Sequence, residues 1–329
     1  MILKRTQISQ NIRYGSDFIL GLVRPEAKIE ATELKINVLT APEHKLISMF
    51  YRFLDAKGED GKLGIAKPIR SKYYNPEQLQ ISFYDHNGKA QNYESVLHTT
   101  WRELAVHYFG NTKIGSNNLK SLKKVVDCLQ SKTFTFKFKM IVDNKEQKYK
   151  FFKYTGQLFE RIEVSDSEQG DLETDELILR FSPPFTSYIT QSYSLFPSNL
   201  PERLEYGYSS EASIQKKKLD GKRKLSKSPE AYNFVYYLTN RYNTNKSVKE
   251  FDLNLEKLIH ITKLDSRYFK QKKKADTKKR LEAMVKALIQ AKILKSAKFK
   301  PSKTSSEGIK LVYEVNPKWL NETDLPLLD

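Results

Sequence analysis

Residues 271–292 read QKKKADTKKRLEAMVKALIQAK. Within this stretch Leu281, Met284, Val285 and Leu288, with Ile293 just beyond, fall at steps 0, 3, 4, 7 and 12. The first four positions trace one face of an α-helix, and the fifth opens an extended segment. The same offsets recur 159 residues earlier, at Leu122, Val125, Val126, Leu129 and Phe134. A helix that feeds a β-hairpin is therefore expected twice. In both copies lysines crowd the first turns of the helix and the strands behind it, as a groove-reading helix with a basic wing requires.

Working outward from the second copy, residues 293–299 and 309–315 alternate as hairpin strands around a flexible tip, 301–308. Asp276 or Thr277 is the expected cap of the helix. Upstream lie a short strand, 248–253, a helix, 255–262, and a further turn over 264–269. Pro229 opens another helix after Ser228, with Phe234, Tyr237 and Leu238 on its buried side. Helix, strand, helix, helix, hairpin is the winged-helix order, a variant of helix-turn-helix.

The first half follows the same order. Pro42 opens a helix whose stripe is Leu46, Ile47, Phe50, Phe53 and Leu54, and the pair Pro42-Glu43 recurs as Pro229-Glu230. A strand over 79–84 ends at the turn Asp85-His86-Asn87-Gly88. A helix over 101–109 takes Thr99 or Thr100 as cap and stops at Gly110. Gly115-Ser116-Asn117 caps the repeat helix, which runs to Gln130. Residues 133–142 and 148–154 form a hairpin with Phe134, Phe136 and Phe138 on one face and Lys137 and Lys139 on the other. Residues 177–181 are expected to return to the same sheet. The fold class is α+β, two tandem winged-helix domains. The expected boundaries are 1–196 for an N-terminal domain with an arm, 197–227 for a basic linker and 228–320 for a C-terminal DNA-binding domain.

Charge narrows the partner. Among 329 residues, 57 Lys or Arg face 39 Asp or Glu, a net charge of +18, so acidic polymers are drawn in at long range. The excess sits late in the chain: 29 basic against 16 acidic residues from position 200 onward, 28 against 23 before it. No run of 18 apolar residues exists, and MILKRTQISQNIRYG lacks the apolar core of a secretory signal, so a cytoplasmic protein is expected, without membrane partners. The lone Cys128 forms no internal disulfide and no cysteine-based zinc site.

Enzyme classes fare poorly. EDGKLG and LDGKRK lack the glycine spacing of a phosphate-cradling loop. The histidines His44, His86, His98, His107 and His260 show neither the His-hydrophobic-His pair of rolling-circle nickases nor H-E-x-x-H. No tyrosine nucleophile has an accompanying Arg/His motif. Acidic pairs such as Glu59-Asp60 and Asp175-Glu176 read as loop solvation. No catalytic residue, metal or cofactor is expected.

Candidate DNA contacts follow from the helix geometry. Off the apolar face near the N-terminus of the second repeat helix stand Lys273, Lys274, Thr277, Lys278 and Arg280, with Lys279 beside them. The planar fork of Arg280 suits bidentate reading of a guanine. The first copy offers Asn117, Asn118, Lys120, Ser121 and Lys124. Wing contacts are expected from Lys137, Lys139 and Lys145 and from Lys295, Lys298, Lys300 and Lys303. The run Lys216, Lys217, Lys218, Lys222, Arg223, Lys224 and Lys227 is either a phosphate-tracking segment or a solvated linker.

Three segments also resemble a known family, the plasmid replication initiators built from tandem winged helices, the iteron-binding class. LVRPEAKIEATELKINVLTAPEHKLISMFYRFL is similar to the family's opening strand and first helix. ELILRFSPPFTSYITQSYSLF is similar to the strand and helix that close its first domain. SPEAYNFVYYLTNRY with FDLNLEKLIHITKLDSRY is similar to the start of its second. The segment 197–227 is longer than in the family pattern. The resemblance implies binding of double-stranded DNA at direct repeats of an origin, with monomers initiating and dimers repressing. A homodimer through the N-terminal domain, a host replicative helicase or its loader as partner, and no catalysis belong to the same expectation. Two rivals stay open: a dimeric transcriptional regulator or partition-type binding protein on an inverted repeat, and a metal-dependent enzyme acting on DNA ends.

Overall fold

The computed structural model describes residues 11–15, 28–31, 39–54, 82–84, 90–92, 96–110, 113–143, 148–164, 176–182, 193–197, 199–208, 229–244 and 248–319. They form an α+β protein of short antiparallel sheets and helices, divided into two compact units. Unit 1 takes its described residues from Lys45–Tyr193 and the positions up to Leu39, and unit 2 from Thr40–His44 and Ser194–Asp329.

Chain order begins with strands β1 (Asn11–Gly15) and β2 (Lys28–Ala31) and helix α1 (Ala41–Leu54). The Thr40 backbone N–H and hydroxyl both donate to the Glu43 carboxylate, at 2.6 and 2.9 Å, the reciprocal half of a capping box. Residues 43–51 of α1 are all buried, so α1 is enclosed and not a one-sided surface helix. Strands β3 (Ser82–Tyr84) and β4 (Ala90–Asn92) pair with each other, and β5 (Val96–Thr100) leads directly into α2 (Trp101–Phe109). Thr100 accepts from the Glu103 N–H at 3.1 Å, and Gly110 ends the helix in the left-handed region, where a side chain would strain the backbone.

Next come α3 (Ser116–Gln130), β6 (Lys132–Asp143), β7 (Lys148–Gly156), β8 (Phe159–Val164) and β9 (Glu176–Phe181). The hairpin β6–β7 joins β2 in a sheet of order β2-β6-β7. Strand β9 does not return to it, contrary to the sequence expectation. It lies between β5 and β8 in a separate sheet, β5-β9-β8, and packs Phe181 at 5.0 Å from Phe50. Periodicity shows that a strand has a buried face but not which neighbour it pairs with.

Unit 2 follows β10 (Tyr193–Pro197) with α4 (Leu200–Gly207), α5 (Glu230–Thr244), β11 (Glu250–Asn254) and α6 (Leu255–Ile261). A π-helical turn, Ser266–Lys270, then leads to α7 (Lys274–Gln290), β12 (Leu294–Pro301) and β13 (Ile309–Val315). The last three strands form a sheet of order β11-β13-β12. Its connectivity matches that of β5-β9-β8, and α2–α3 correspond to α6–α7. The hairpin β6–β7 is thus an insertion between the repeat helix of unit 1 and the strands equivalent to β12 and β13.

The repeat is physical as well as textual. Leu281, Met284, Val285, Leu288 and Ile293 are all buried, as are Leu122, Val126, Leu129 and Phe134, while Val125 is half-buried. Burying Leu, Met or Phe side chains contributes about 1.5–3 kcal/mol each. A surface ion pair contributes about 1 kcal/mol at most, so the apolar face sets how each helix is turned.

Residues 200–207, expected within the linker, are folded. Pro201 sits in the first turn of α4, and Leu200, Leu204 and Gly207 are buried. A Cβ at Gly207 would lie 2.2 Å from the Ala287 carbonyl oxygen of α7. The basic run from Lys216 to Lys227 lies outside the described residues. Gly207→Ala should therefore force α4 away from α7, lowering stability by about 1–3 kcal/mol in urea unfolding. An unchanged midpoint would show that the two helices are not in close contact.

Candidate nucleic-acid interface

Helix α7 enters from a tight reversal. Lys272 has φ 53°, and Lys273 is the N-cap, with no side chain capping the helix. Both sequence-based caps therefore fail. Asp276 is in the first turn, where Arg267 of the π-helical turn donates to it from Nε at 2.7 Å. That hydrogen bond holds the Asp276 carboxyl below the usual carboxylate range. Thr277 is fully buried and its hydroxyl donates back to the Lys273 carbonyl at 2.9 Å, so it is removed from the set of DNA-facing residues.

Arg280 is also reassigned. Its guanidinium is ion-paired with Glu230, a carboxylate 1 % exposed at the start of α5. A buried carboxylate without a partner is costly, which ties Arg280 to the fold and away from a base edge. The two Pro-Glu pairs thus differ in role: Glu43 completes a cap, and Glu230 reaches α7.

Lys274 is engaged as well, with its Nζ 3.2 Å from Glu307 and 5.1 Å above the Tyr268 ring. Lys273, Lys278 and Lys279 remain, together with Lys270 and Lys272, which the sequence reading did not select. None of the five has an ion-pair partner among the described residues. All but the half-buried Lys278 are exposed.

The wing strand β12 lies at the sheet edge. Register places Lys298 opposite Val312 and Asp252, and Lys300 opposite Lys310 and Asn254, all on the face away from Phe251, Leu253, Leu311 and Tyr313. Asp252 is met by Lys310 at 2.9 Å, and that hydrogen bond holds its carboxyl below the usual range. Lys295 pairs with Glu314 at 2.8 Å. Lys298, Lys300 and Lys303 are exposed and have no ion-pair partner among the described residues. The outer face is thus neutralised towards β11 and cationic towards β12.

The hairpin tip is not a free loop, contrary to expectation. Ser305 is buried, Gly308 has φ 68°, and the Tyr268 hydroxyl donates to Glu307 at 2.5 Å. That hydrogen bond, with Lys274 behind it, draws the Glu307 carboxyl below its ordinary range.

In unit 1, Asn117, Lys120, Ser121 and Lys124 are exposed on α3, and Asn118 is half-buried. Further along the helix the surface is closed: Lys123 pairs with Glu163 at 3.3 Å, and Arg161 with Asp127 at 2.5 Å. Both cations also lie over the buried Trp101 ring, at 5.5 and 5.7 Å. Lys137 and Lys139 are on the inserted hairpin, opposite Lys153 and Phe151, and not on the sheet equivalent to the wing of unit 2. Their side chains, and Lys145 as a whole, lie outside the described residues. Among the described residues no group of three His, Cys, Asp or Glu is placed to hold a metal ion, and no helix is long and apolar enough to cross a membrane.

No protein-family model and no curated protein matches the chain. Among solved structures it is similar to domains 2–3 of RctB, with TM-score 0.42 and 8 % identity over 93 % of this chain and 98 % of that one. A second structure, of selenomethionine derivatives of domain 2 and domain 3 of RctB, gives 0.40 and 8 % over 91 % and 96 %. Likeness this loose carries no residue role from one chain to the other.

Two outcomes follow from the ion pairs. Arg280→Ala should lower stability in urea by roughly 3 kcal/mol, the low end for a broken buried pair because the arginine is partly exposed. Lys279→Ala should change it by less than about 0.5 kcal/mol; equal effects would show that Glu230 does not need its partner. The depressed Glu307 carboxyl contributes stability that is complete above its unfolded pKa, about 4.3, and is lost as pH falls through the lower folded value. The stability advantage of wild type over Glu307→Gln should therefore be constant near neutrality and shrink as pH falls from about 5 towards 3. A pH-independent difference would mean that charge plays no part.

Proposed function

We propose that the chain is a sequence-specific double-stranded DNA-binding protein of two tandem winged-helix units that initiates plasmid replication by occupying repeated sites at an origin. The observation that carries the DNA-binding part is the placement of unpaired lysines in unit 2. Lys270, Lys272, Lys273, Lys278 and Lys279 gather at the start of α7, and Lys298, Lys300 and Lys303 gather on the edge strand and tip of the adjoining hairpin. A helix-turn-helix variant with a wing places these two segments where a duplex offers a groove and its flanking phosphates. The replication role rests on the resemblance of the three quoted segments to iteron-binding initiators. On that reading a host replicative helicase or its loader is the protein partner, homodimers form through the N-terminal unit, and no catalytic step is required.

Footprinting the purified chain on DNA flanking its own gene tests the reading. Protection of several same-orientation repeats supports an initiator. A single palindromic footprint would favour the dimeric regulator, and coating without pattern would leave only non-specific binding. On a bound duplex, Lys298→Ala and Lys300→Ala should each reduce the slope of log affinity against log salt by about 1, as loss of one phosphate contact does. Lys310→Ala, whose lysine is occupied by Asp252, should leave that slope unchanged.

A further inference from the structure

Residues 302–308, at the tip of the hairpin β12–β13, fold back onto the elements that precede α7. Glu256, in the first turn of α6, accepts from the Ser305 hydroxyl at 2.6 Å and from the Ser306 backbone N–H at 3.2 Å. The Asn254 side-chain amide donates to the Thr304 carbonyl at 3.2 Å. The Tyr268 hydroxyl, from the π-helical turn, donates to Glu307 at 2.5 Å, and Lys274 meets the same carboxylate. Inside the tip, Ser302 N–H donates to Gly308 and Gly308 N–H to Ser305. The tip is therefore strapped to the starts of both α6 and α7.

The chemistry of the strap is unsuited to holding DNA directly. Glu256 and Glu307 are carboxylates beside a lysine cluster, where they weaken attraction to phosphate. The Tyr268 ring is fully buried and its hydroxyl is already committed. A pair of acidic groups at this place lowers long-range affinity, so their contribution has to be geometric. Non-specific binding is Coulombic and needs no fixed spacing, whereas specific binding needs helix and wing contacts to engage together.

We propose that Glu256 and Tyr268 are positioning residues for sequence-specific binding: they strap the wing tip to unit 2 and so fix the spacing between Lys298, Lys300 and Lys303 and the lysines of α7. The inference rests on the DNA-binding reading and adds to it the device that converts attraction into discrimination. It predicts that the strap matters for the right sequence and not for DNA in general.

The test uses the full chain, a duplex selected by the wild type from a random pool, and a scrambled duplex of the same composition. Tyr268→Phe and Glu256→Ala should each weaken binding to the selected duplex by about tenfold, the loss of one or two hydrogen bonds. Tyr268→Phe, which changes no charge, should leave binding to the scrambled duplex and its salt slope at wild-type values, and Glu256→Ala, which removes a negative charge, should bind the scrambled duplex no more weakly than wild type. Hydrogen exchange on the DNA-free variants should quicken over 303–308 with α7 unchanged, which separates a loosened strap from a damaged fold. Equal losses on both duplexes, no loss on either, or unaltered exchange at the tip would overturn the inference. A pool that yields no preferred duplex would instead remove the DNA-reading proposal itself, and this inference with it.

Discussion

A cation that neutralises a carboxylate of its own fold is not available to neutralise a phosphate, and this constraint governs what unit 2 presents to its surroundings. Arg280 is held by Glu230, Arg267 by Asp276, Lys274 by Glu307, Lys295 by Glu314 and Lys310 by Asp252. These pairs are distributed through the unit, and exposed lysines outside any ion pair among the described residues also occur throughout it, Lys249, Lys257, Lys286, Lys292 and Lys318 among them. The densest group of them stands at the approach to α7, with a second along β12, so the acidic residues shape the basic surface by thinning it elsewhere. Net charge draws DNA to the whole unit, and the local density of unpaired lysines strengthens that attraction at these two segments.

That surface depends in turn on how α7 is seated. Its inner face is fixed by Leu281, Met284 and Leu288, and its far end by α4, where Gly207 lets two backbones approach and Gln290 reaches the Tyr206 carbonyl at 3.5 Å. Rotation by one residue would turn Lys278 and Lys279 relative to the wing, and the buried Glu230–Arg280 pair opposes it from the side. Apolar burial supplies the larger energy and the ion pair the angular precision, because a carboxylate that is 1 % exposed tolerates little displacement of its partner.

Much of this was legible in the sequence. Repeated offsets placed α3 and α7 with their buried faces, and Thr100 with Gly110 bounded α2 as caps should. The hairpin β12–β13 followed from alternation. What the sequence hid were relations between distant residues. Nothing local to Arg280 distinguishes it from Lys279; only Glu230, fifty positions away, does. The partner of β9 and the folded helix α4 were lost for the same reason, since eight residues rich in Pro, Glu and Gly look like linker until a neighbour covers them. Lys263, Lys272 and Lys292 occupy left-handed positions at φ 60°, 53° and 55°, where glycine or asparagine is the usual signal, so the turns carried no residue signal of their own and only periodicity ended the helices near 262 and 292.

Unit 1 shows that connectivity and surface chemistry are set by different residues. The order β5-β9-β8 repeats β11-β13-β12, and α3 repeats α7, because the same apolar offsets demand the same packing. On α3, however, Lys123 and Asp127 are each tied to β8, with Arg161 and Lys123 both over Trp101, so the strand that corresponds to β12 is a closed network and not a row of lysines. An insertion of two long strands, β6 and β7, then separates helix from sheet in the chain. Duplicated topology therefore does not duplicate a binding surface: the surface is decided one ion pair at a time, by whether a lysine on the helix finds an acid on the neighbouring strand.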